Sequence, residues 1–191
     1  MVWNTSTTGP SSSSSDRATS SQYSSLTSGR VKLGASAPTA GAPDFTRPLV
    51  NDEYWEDVAL SELLDDGPVV LVFHTMDGDF PATYIWQAVC DRGWDDYDAE
   101  VVGLSISTPY EHARFLEEWD LEAFRLFSDP GNDVAEAYGI VHDLDGMSGI
   151  SEPRPAVFVV DEDRTVRESW VSAEWPEFPP YDDLEDAIER L

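Results

Sequence analysis

The sequence predicts an α/β domain in which a mixed central sheet carries helices on both of its faces. Three observations predict it. Long apolar runs, typical of strands that are buried on both sides, recur along the chain. Segments with helix-start signals separate these runs. The resulting order of elements, β-α-β-α-β-α-β-β-α, is that of a sheet covered by helices on each side.

The first half of the domain supplies two buried strands and the helix between them. Pro68–His74 is a continuous apolar run and predicts the first strand. Pro81 suits the first turn of a helix, which we expect to run to about residues 91–98. The apolar residues of 100–107 predict the second buried strand.

The second half begins with a helix whose start is well marked. Thr108 is an N-cap residue, Pro109 suits the first helical position and Glu111 is an acid in the first turn, so we expect a helix to about Trp119. Shorter signals predict the remaining elements, which are a strand at Phe124–Phe127, a small helix at Asp133–Tyr138 ended by Gly139, hairpin strands at Ala156–Asp161 and Thr165–Ser172, and a terminal helix at Tyr181–Leu191.

The N-terminal segment has a different composition from the rest. Residues 1–30 contain 11 Ser and 5 Thr and show neither helical nor strand periodicity. Such a segment buries too little apolar area to offset its chain entropy. We therefore expect residues 1–40 to form a disordered tail and residues 41–191 to form one domain. The alternative for the tail is a gene-model extension upstream of the true start.

The acidic charge is concentrated in the predicted domain. The 191-residue chain has a formal net charge of −27, and residues 51–191, with seven basic and 36 acidic residues, carry −29. Lys32 is the only lysine. Molar salt would screen the repulsion among so many exposed acids. The pattern favours a halophilic source. An acidic mesophilic protein is the alternative, but it leaves the missing lysines unexplained.

Composition also excludes several functional classes. One cysteine cannot close an intramolecular disulfide and does not make a Cys-rich zinc module. The negative charge repels phosphate backbones, so we expect no nucleic-acid partner. No apolar run approaches the ~20 residues of a membrane-spanning helix, and no signal-peptide pattern opens the chain. We therefore expect a cytoplasmic protein without membrane contact.

Several short motifs occur in an order that resembles a known family. They are Ala42–Thr46, Asp57–Asp65, Val69–Phe73, Val101–Ser107, Ser128–Pro130, Val134–Gly139, Phe158–Asp161 and Thr165–Arg167. Together they resemble the redoxin group of the thioredoxin superfamily, the alkyl hydroperoxide reductase/thiol-specific antioxidant peroxiredoxins. The resemblance covers residues 42–191. It implies a thioredoxin-like, peroxiredoxin-type sheet, an antioxidant oxidoreductase background, and a homodimer or an unidentified protein as partner.

The resemblance fails where the catalytic cysteine belongs. The family pattern P-x-x-x-T-x-x-C follows the first buried strand, and its thiolate attacks peroxide and becomes a sulfenic acid. Aligned with that pattern, Met76 stands at the proline, Phe80 at the threonine and Thr83 at the cysteine position. A threonine hydroxyl stays protonated at neutral pH and has no sulfenic-acid chemistry. Shifting the alignment by a residue or two does not help, because residues 71–89 contain no cysteine.

The arginine that the resemblance implies is also displaced. Its position in the family pattern falls on Pro155, and Arg154 lies one residue earlier. A shift of one residue along a strand turns a side chain to the other face. Arg154 therefore reaches the site only if the loop before it is irregular.

Cys90 is the remaining candidate for thiol chemistry. It follows Thr83 by seven residues, which places it on nearly the same helix face, about 10 Å further along. Its neighbours Trp86 and Trp94 are apolar, so we expect a buried, inert thiol. The alternative is a redox-sensing or resolving thiol, which needs exposure and a lowered pKa, whereas Asp91 acts to raise the pKa.

The three histidines of the chain are candidates for metal ligands or acid–base groups. His142, Asp143 and Asp145 form a cluster that could bind a cation, although a solvated loop is better supported because no further ligand is identifiable by spacing. His74 ends the first buried strand, and without a nucleophile beside it we expect it to cap the loop. We expect His112, in the first turn of its helix, at the surface. The sequence thus predicts neither a bound metal nor a cofactor.

Two functional hypotheses follow. The first is a redoxin-fold protein that has lost thiol-peroxidase chemistry and acts in binding or regulation. The second is a thiol-dependent oxidoreductase or redox sensor that uses Cys90. Phe80 and Tyr84 flank the position of the lost site, and Trp175–Pro180 forms an aromatic-proline segment. That segment either contacts a partner or packs against the terminal helix.

Overall fold

A computed structural model describes residues 41–142, 149 and 151–191 of the chain. Helices and strands alternate along these residues. The strands are β1 (Thr46–Val50), β2 (Trp55–Ala59), β3 (Val69–Phe73), β4 (Glu100–Ser105), β5 (Arg125–Ser128), β6 (Val141–His142), β7 (Glu152–Pro153), β8 (Ala156–Val160) and β9 (Val166–Val171). The helices are α1 (Leu60–Leu64), α2 (Phe80–Asp91), α3 (Pro109–Glu118), α4 (Asp133–Ala137) and α5 (Tyr181–Ile188), and a 3₁₀ turn spans Trp94–Asp96.

Seven of these strands form one mixed sheet in the order β2-β1-β5-β4-β3-β8-β9. Strand β3 pairs in parallel with β4, and β4 pairs in parallel with β5. Strand β8 runs antiparallel to β3 and to β9. This arrangement confirms the predicted mixed sheet, and it places the carboxyl ends of β3, β4 and β5 at one edge.

The strand β3 divides the interior into two layers. All five of its residues are buried. Val70 and Val72 pack in the core cluster that includes buried residues of α2, α3 and α5. Leu71 and Phe73 pack in the cluster that includes residues of α1 and α4. Helices therefore cover both faces of the sheet, as the continuous apolar run predicted.

Close packing of α2 on the sheet depends on Gly103 in β4. A Cβ atom at this position would overlap the side chain of Leu126 and would lie 2.5 Å from Cζ2 of Trp86. Trp86 is fully buried. The missing side chain of Gly103 therefore provides the space that the indole ring occupies.

The sequence patterns did not predict β1 or the short pair of β6 and β7, and β2 and α1 fall largely in the segment that only the family resemblance covered, Asp57–Asp65. Strand β1 contains Arg47 and Pro48, and its first three residues are exposed or half-buried, so it lacks the apolar run of a fully buried strand. Strands β6 and β7 have two residues each, too few for any periodicity. The other predicted elements are present and differ from their expected bounds by a few residues at the ends.

Helix α3 begins where its capping residues predicted. The carboxylate of Glu111 accepts hydrogen bonds from the backbone N–H and the hydroxyl of Thr108, at 2.7 and 2.8 Å. The predicted tail at residues 1–40 lies outside the described residues. Within the described part of the chain, no helix is long and apolar enough to cross a membrane.

Candidate functional site

The loop of residues 74–79 joins the end of β3 to the start of α2. Asp79 is the N-cap of α2, and its Oδ1 accepts a hydrogen bond from the amide of Ala82 at 2.6 Å. Burial raises the pKa of Asp79, although the Ala82 amide acts against that change. Pro81 lies in the first turn, as predicted. The first turn of α2 is thus well ordered by its own capping group.

None of the side chains at the head of α2 carries a thiol. Met76 is half-buried, Phe80 is exposed, and Thr83 is half-buried. The Thr83 hydroxyl donates to the backbone carbonyl of Phe80 at 3.1 Å, within its own helical turn. If the family pattern is aligned one residue earlier, the cysteine position falls on Ala82, which is fully buried and whose amide bonds to the N-cap carboxylate. In either alignment the residue at the cysteine position cannot become a thiolate.

Arg154 lies between β7 and β8. Its amide donates to the carbonyl of Ile140 at 2.8 Å, and its Nε is buried without a hydrogen-bond partner. Among the described residues, no hydrogen bond or ion pair joins it to Met76, Phe80 or Thr83. The peptide bond before Pro155 is trans, since the cis bond found in the described residues precedes Pro176.

Cys90 occupies the last turn of α2, at the end opposite to the loop. It is half-buried and packs against the core cluster that contains Trp86. Burial raises the pKa of its thiol, and the carboxylates of Asp95 and Asp91 raise it further. These are the properties of an unreactive thiol.

A buried polar network lies directly behind the loop. The side chain of Asp77 is 6% exposed and contacts two histidines, each with a fully buried side chain. Asp77 Oδ1 lies 2.8 Å from Nε2 of His74, and Asp77 Oδ2 lies 2.7 Å from Nδ1 of His112. The amide of Asp77 also donates to the hydroxyl of Ser107 at 2.9 Å. The network joins the loop to α3 and to the segment that follows β4.

The hydrogen-bond partners show which ring nitrogens donate in this network. Nε2 of His112 lies 3.1 Å from the carbonyl oxygen of Phe127, which accepts but cannot donate, so Nε2 is the donor of this hydrogen bond. The indole N–H of Trp86 donates to Nδ1 of His74 at 3.4 Å, so His74 donates to Asp77 from its other nitrogen, Nε2.

The charge of Asp77 is held inside the protein by these two rings. Burial acts to raise its pKa, but the contacts with His112 and His74 outweigh burial and hold the pKa of Asp77 well below its usual range. The contact with His112 meets the distance of a hydrogen bond but not its direction. The carboxylate of Asp77 is thus held in the interior between two imidazole rings.

The expectation that His112 lies at the surface was wrong. Its side chain is fully buried, because α3 presents His112, Phe115 and Leu116 to the core at the i, i+3 and i+4 spacing of one helix face. That spacing was readable in the sequence. His74 does hold the loop, as expected. The role of Asp77 was missed, because the contact of a loop acid with a distant helix has no local signal.

Four exposed aromatic side chains come together at the head of α2, and we call them the aromatic surface. Phe80, Tyr84, Trp175 and Phe178 are 48%, 55%, 42% and 37% exposed. Their ring centroids lie 4.8 Å apart for Phe80 and Tyr84, 6.1 Å for Phe80 and Phe178, and 6.4 Å for Phe80 and Trp175. Phe80 and Tyr84 thus lie beside the Trp175–Pro180 segment and leave their outer faces in solvent.

The described residues contain no group of three His, Cys, Asp or Glu side chains arranged to hold a metal ion. The predicted cation-binding cluster of His142, Asp143 and Asp145 lies outside the described side chains.

Known proteins with similar sequences and structures are peroxiredoxins. The chain is 27% identical over 140 residues to a chloroplastic 2-cysteine peroxiredoxin of Chattonella marina var. antiqua, covering 69% of this chain and 68% of that protein. It is 31% identical over 144 residues to chloroplastic peroxiredoxin Q of Oryza sativa subsp. japonica, covering 72% of this chain and 60% of that protein. The match thus spans about three fifths to two thirds of these relatives.

Solved structures give the same result for the fold. The crystal structure of peroxidoxin BcpB from Mycobacterium tuberculosis superimposes with a TM-score of 0.64 at 27% identity, covering 79% of this chain and 93% of that one. The reduced 2-Cys peroxiredoxin of Plasmodium vivax gives a TM-score of 0.66 at 20% identity, covering 79% of each chain. At that identity the second likeness shows the fold alone. The AhpC/TSA family profile matches residues 38–169. With this match over most of its length, the chain belongs to the AhpC/TSA family.

Proposed function

We propose that this chain is a member of the AhpC/TSA family without thiol-peroxidase activity, and that it acts in binding or regulation. One observation carries the proposal. The head of α2 holds Phe80, Ala82 and Thr83, whereas the single cysteine of the chain lies in the last turn of the same helix. The peroxide chemistry of this family requires a thiolate at the head of the helix.

The chemistry explains why no neighbouring group substitutes. A thiolate attacks one oxygen of the peroxide, forms the S–O bond of a sulfenic acid and releases the other oxygen as water or alcohol. The Thr83 hydroxyl is protonated at neutral pH, and it is occupied as a donor to the carbonyl of Phe80. Ala82 has no reactive group. The N-terminus of α2 could stabilise a thiolate through the helix dipole, but no thiol is present there.

Cys90 does not favour the alternative of a redox sensor. Sensor cysteines are exposed and have a lowered pKa. The pKa of Cys90 is raised by burial and by Asp95 and Asp91, and the side chain is half-buried. A binding role is favoured instead by the aromatic surface, which lies where the family has its reaction centre.

Peroxide consumption tests the proposal. We expect purified protein to remove hydrogen peroxide no faster than buffer does, with dithiothreitol as reductant and in both dilute and molar KCl. The Cys90→Ser variant should behave identically. Peroxide removal by the wild type that Cys90→Ser abolishes would overturn the proposal.

Labelling with dimedone, which captures sulfenic acids, gives a second readout of the same question. After exposure to peroxide, mass spectrometry should find Cys90 unlabelled in the folded protein. Denatured protein treated in the same way provides the positive control, because its thiol is then accessible. Stoichiometric labelling of folded protein would show that Cys90 is a redox-active thiol.

A further inference from the structure

The aromatic surface is built from two separate segments of the chain. Phe80 and Tyr84 lie one turn apart on the exposed face of α2. Trp175 and Phe178 come from the segment between β9 and α5, and Phe178 contacts Tyr84 with ring centroids 6.0 Å apart. The side chain of Glu177 accepts from the amide of Glu174 at 3.3 Å, so that segment is folded on itself. The rings are therefore displayed by an ordered scaffold.

The two segments that carry these rings contain acids and no basic residue. Residues 76–88 and 172–184 include no lysine or arginine. The second stretch contributes the exposed acids Glu174, Asp182 and Asp183. Arg92 at the other end of α2 is paired with Asp182 and Glu185, and Arg114 of α3 is paired with Glu118. An occupant of this surface meets aromatic faces with negative charge around them.

Charge decides which class of occupant fits. Phosphate-bearing partners, both nucleic acids and anionic lipid surfaces, are repelled by a chain with a net charge of −27. A second copy of the chain carries the same negative charge and offers these acids no complementary charge. A cationic polypeptide is attracted, and its planar guanidinium groups stack on aromatic faces in a way that the compact ammonium of lysine does not.

We propose that the aromatic surface binds an arginine-bearing polypeptide through stacking of guanidinium groups on Phe80, Tyr84, Trp175 and Phe178. This inference rests on the proposed binding role and names the chemistry of its partner. The acids around the rings attract the partner and the rings select arginine. In molar salt the Debye length is roughly 3 Å, so the long-range attraction between the acids and the partner is screened while the stacking contacts remain.

Fluorescence anisotropy with a labelled peptide of Arg-Gly-Ser repeats tests the proposal on the full chain. Two matched peptides replace every arginine by lysine or by glutamine. We expect the wild type in molar KCl to bind the arginine peptide more tightly than the lysine peptide, and the glutamine peptide not at all. Equal affinity for the arginine and lysine peptides under these conditions would overturn the proposal.

Variants of the surface provide the second arm. Phe80→Leu/Trp175→Leu keeps apolar side chains but removes two rings, and we expect it to weaken arginine-peptide binding about tenfold, at roughly two- to fivefold per ring. Tyr110→Ala is the control, since Tyr110 is 71% exposed and contacts Trp55 at a different place. A double variant that binds like the wild type, or a control that loses as much, contradicts the proposal.

Sedimentation velocity of the protein without peptide tests whether a second copy of the chain occupies the aromatic surface. A dimer in the wild type that the Phe80→Leu/Trp175→Leu variant loses would show that a second copy covers the surface, and it would overturn the inference. Failure of the proposed function is distinguishable from both results. It appears as peroxide consumption that depends on Cys90, at the other end of α2, and it leaves the peptide measurements unchanged.

Discussion

The side chains of Asp77 and His112 meet at 2.7 Å in the interior of the protein, where both are shielded from water. Asp77 belongs to the loop before α2, and His112 belongs to α3. The ring of His112 also contacts the backbone carbonyl of Phe127 in β5. The contact therefore ties three elements together at the edge of the sheet where the family has its reaction centre. Its strength can be measured directly.

Replacing Asp77 with Asn removes the buried carboxylate that contacts both His74 and His112. We expect the free energy of unfolding to fall by about 1–3 kcal/mol, because the buried ring nitrogens lose their acceptor. Urea denaturation at neutral pH in molar KCl measures the change. The exposed Glu117→Gln variant is the control and should stay within about 0.5 kcal/mol of the wild type. Equal losses in the two variants would show that the contacts of Asp77 with the two histidines do not stabilise the fold.

The same pair predicts a dependence of stability on acid. In the folded protein the pKa of Asp77 lies well below its ordinary value of 3.8. A group with a lowered folded pKa contributes stability that is fully present above its unfolded pKa and is lost as the pH falls towards the folded one. We expect the stability difference between wild type and Asp77→Asn to narrow as the pH falls below about 4. A difference that is constant from pH ~5 to pH ~2.5 would contradict this.

Cys90 should react slowly with thiol reagents in the folded state. Burial and the carboxylates of Asp95 and Asp91 raise its pKa, so little thiolate is present at neutral pH. The rate of labelling by iodoacetamide should still be rising with pH above the ordinary thiol value of 9.0. Asp95→Asn should speed the labelling, since it removes a negative charge that disfavours the thiolate.

The labelling experiment has a simple reference. Protein unfolded in guanidinium chloride exposes Cys90 and should label at the rate of a cysteine-containing peptide. Folded protein that labels equally fast at neutral pH would show that the thiol is neither buried nor electrostatically disfavoured.

Gly103→Ala should disturb the packing of α2 on the sheet. The added Cβ would overlap Leu126 and approach Cζ2 of Trp86 to 2.5 Å. We expect a loss of about 1–3 kcal/mol in the free energy of unfolding, which is the usual cost of overpacking a core. Thermal and urea denaturation measure it. Gly131→Ala is a matched control, because its Cβ would meet the end of the Asp133 side chain at 3.2 Å. Similar losses in the two variants would contradict the packing argument.

The sheet and its helices were predictable because their signals are local. The run Val69–Phe73 is apolar at every position, and Thr108 with Pro109 marks a helix start without reference to the rest of the chain. Strand β1 was not predictable in this way. It lies between the edge strand β2 and β5, and its first residues are partly exposed. Its burial therefore depends on neighbouring strands that cannot be identified from its own sequence.

The candidate site was predictable only in what it lacks. The absence of a cysteine from residues 71–89 can be read from the sequence, and so can the apolar setting of Cys90. The network of Asp77 and His112 could not be read in full, because it forms between a loop and a helix that are adjacent only in the folded chain. The convergence of Phe80 with Phe178 has the same origin.

The buried pair of Asp77 and His112 also affects how this acidic protein responds when the salt concentration is lowered. Dissolved ions screen charges that face solvent, but they do not reach charges in the interior. Lowering the salt therefore strengthens repulsion across the acidic exterior and leaves the inner pair unchanged. We expect opening to begin at the exposed edge strands β2 and β9 and to reach the loop before α2 last. Amide protons there, such as that of His74, which bonds to Leu104, should be among the slowest to exchange as salt is withdrawn.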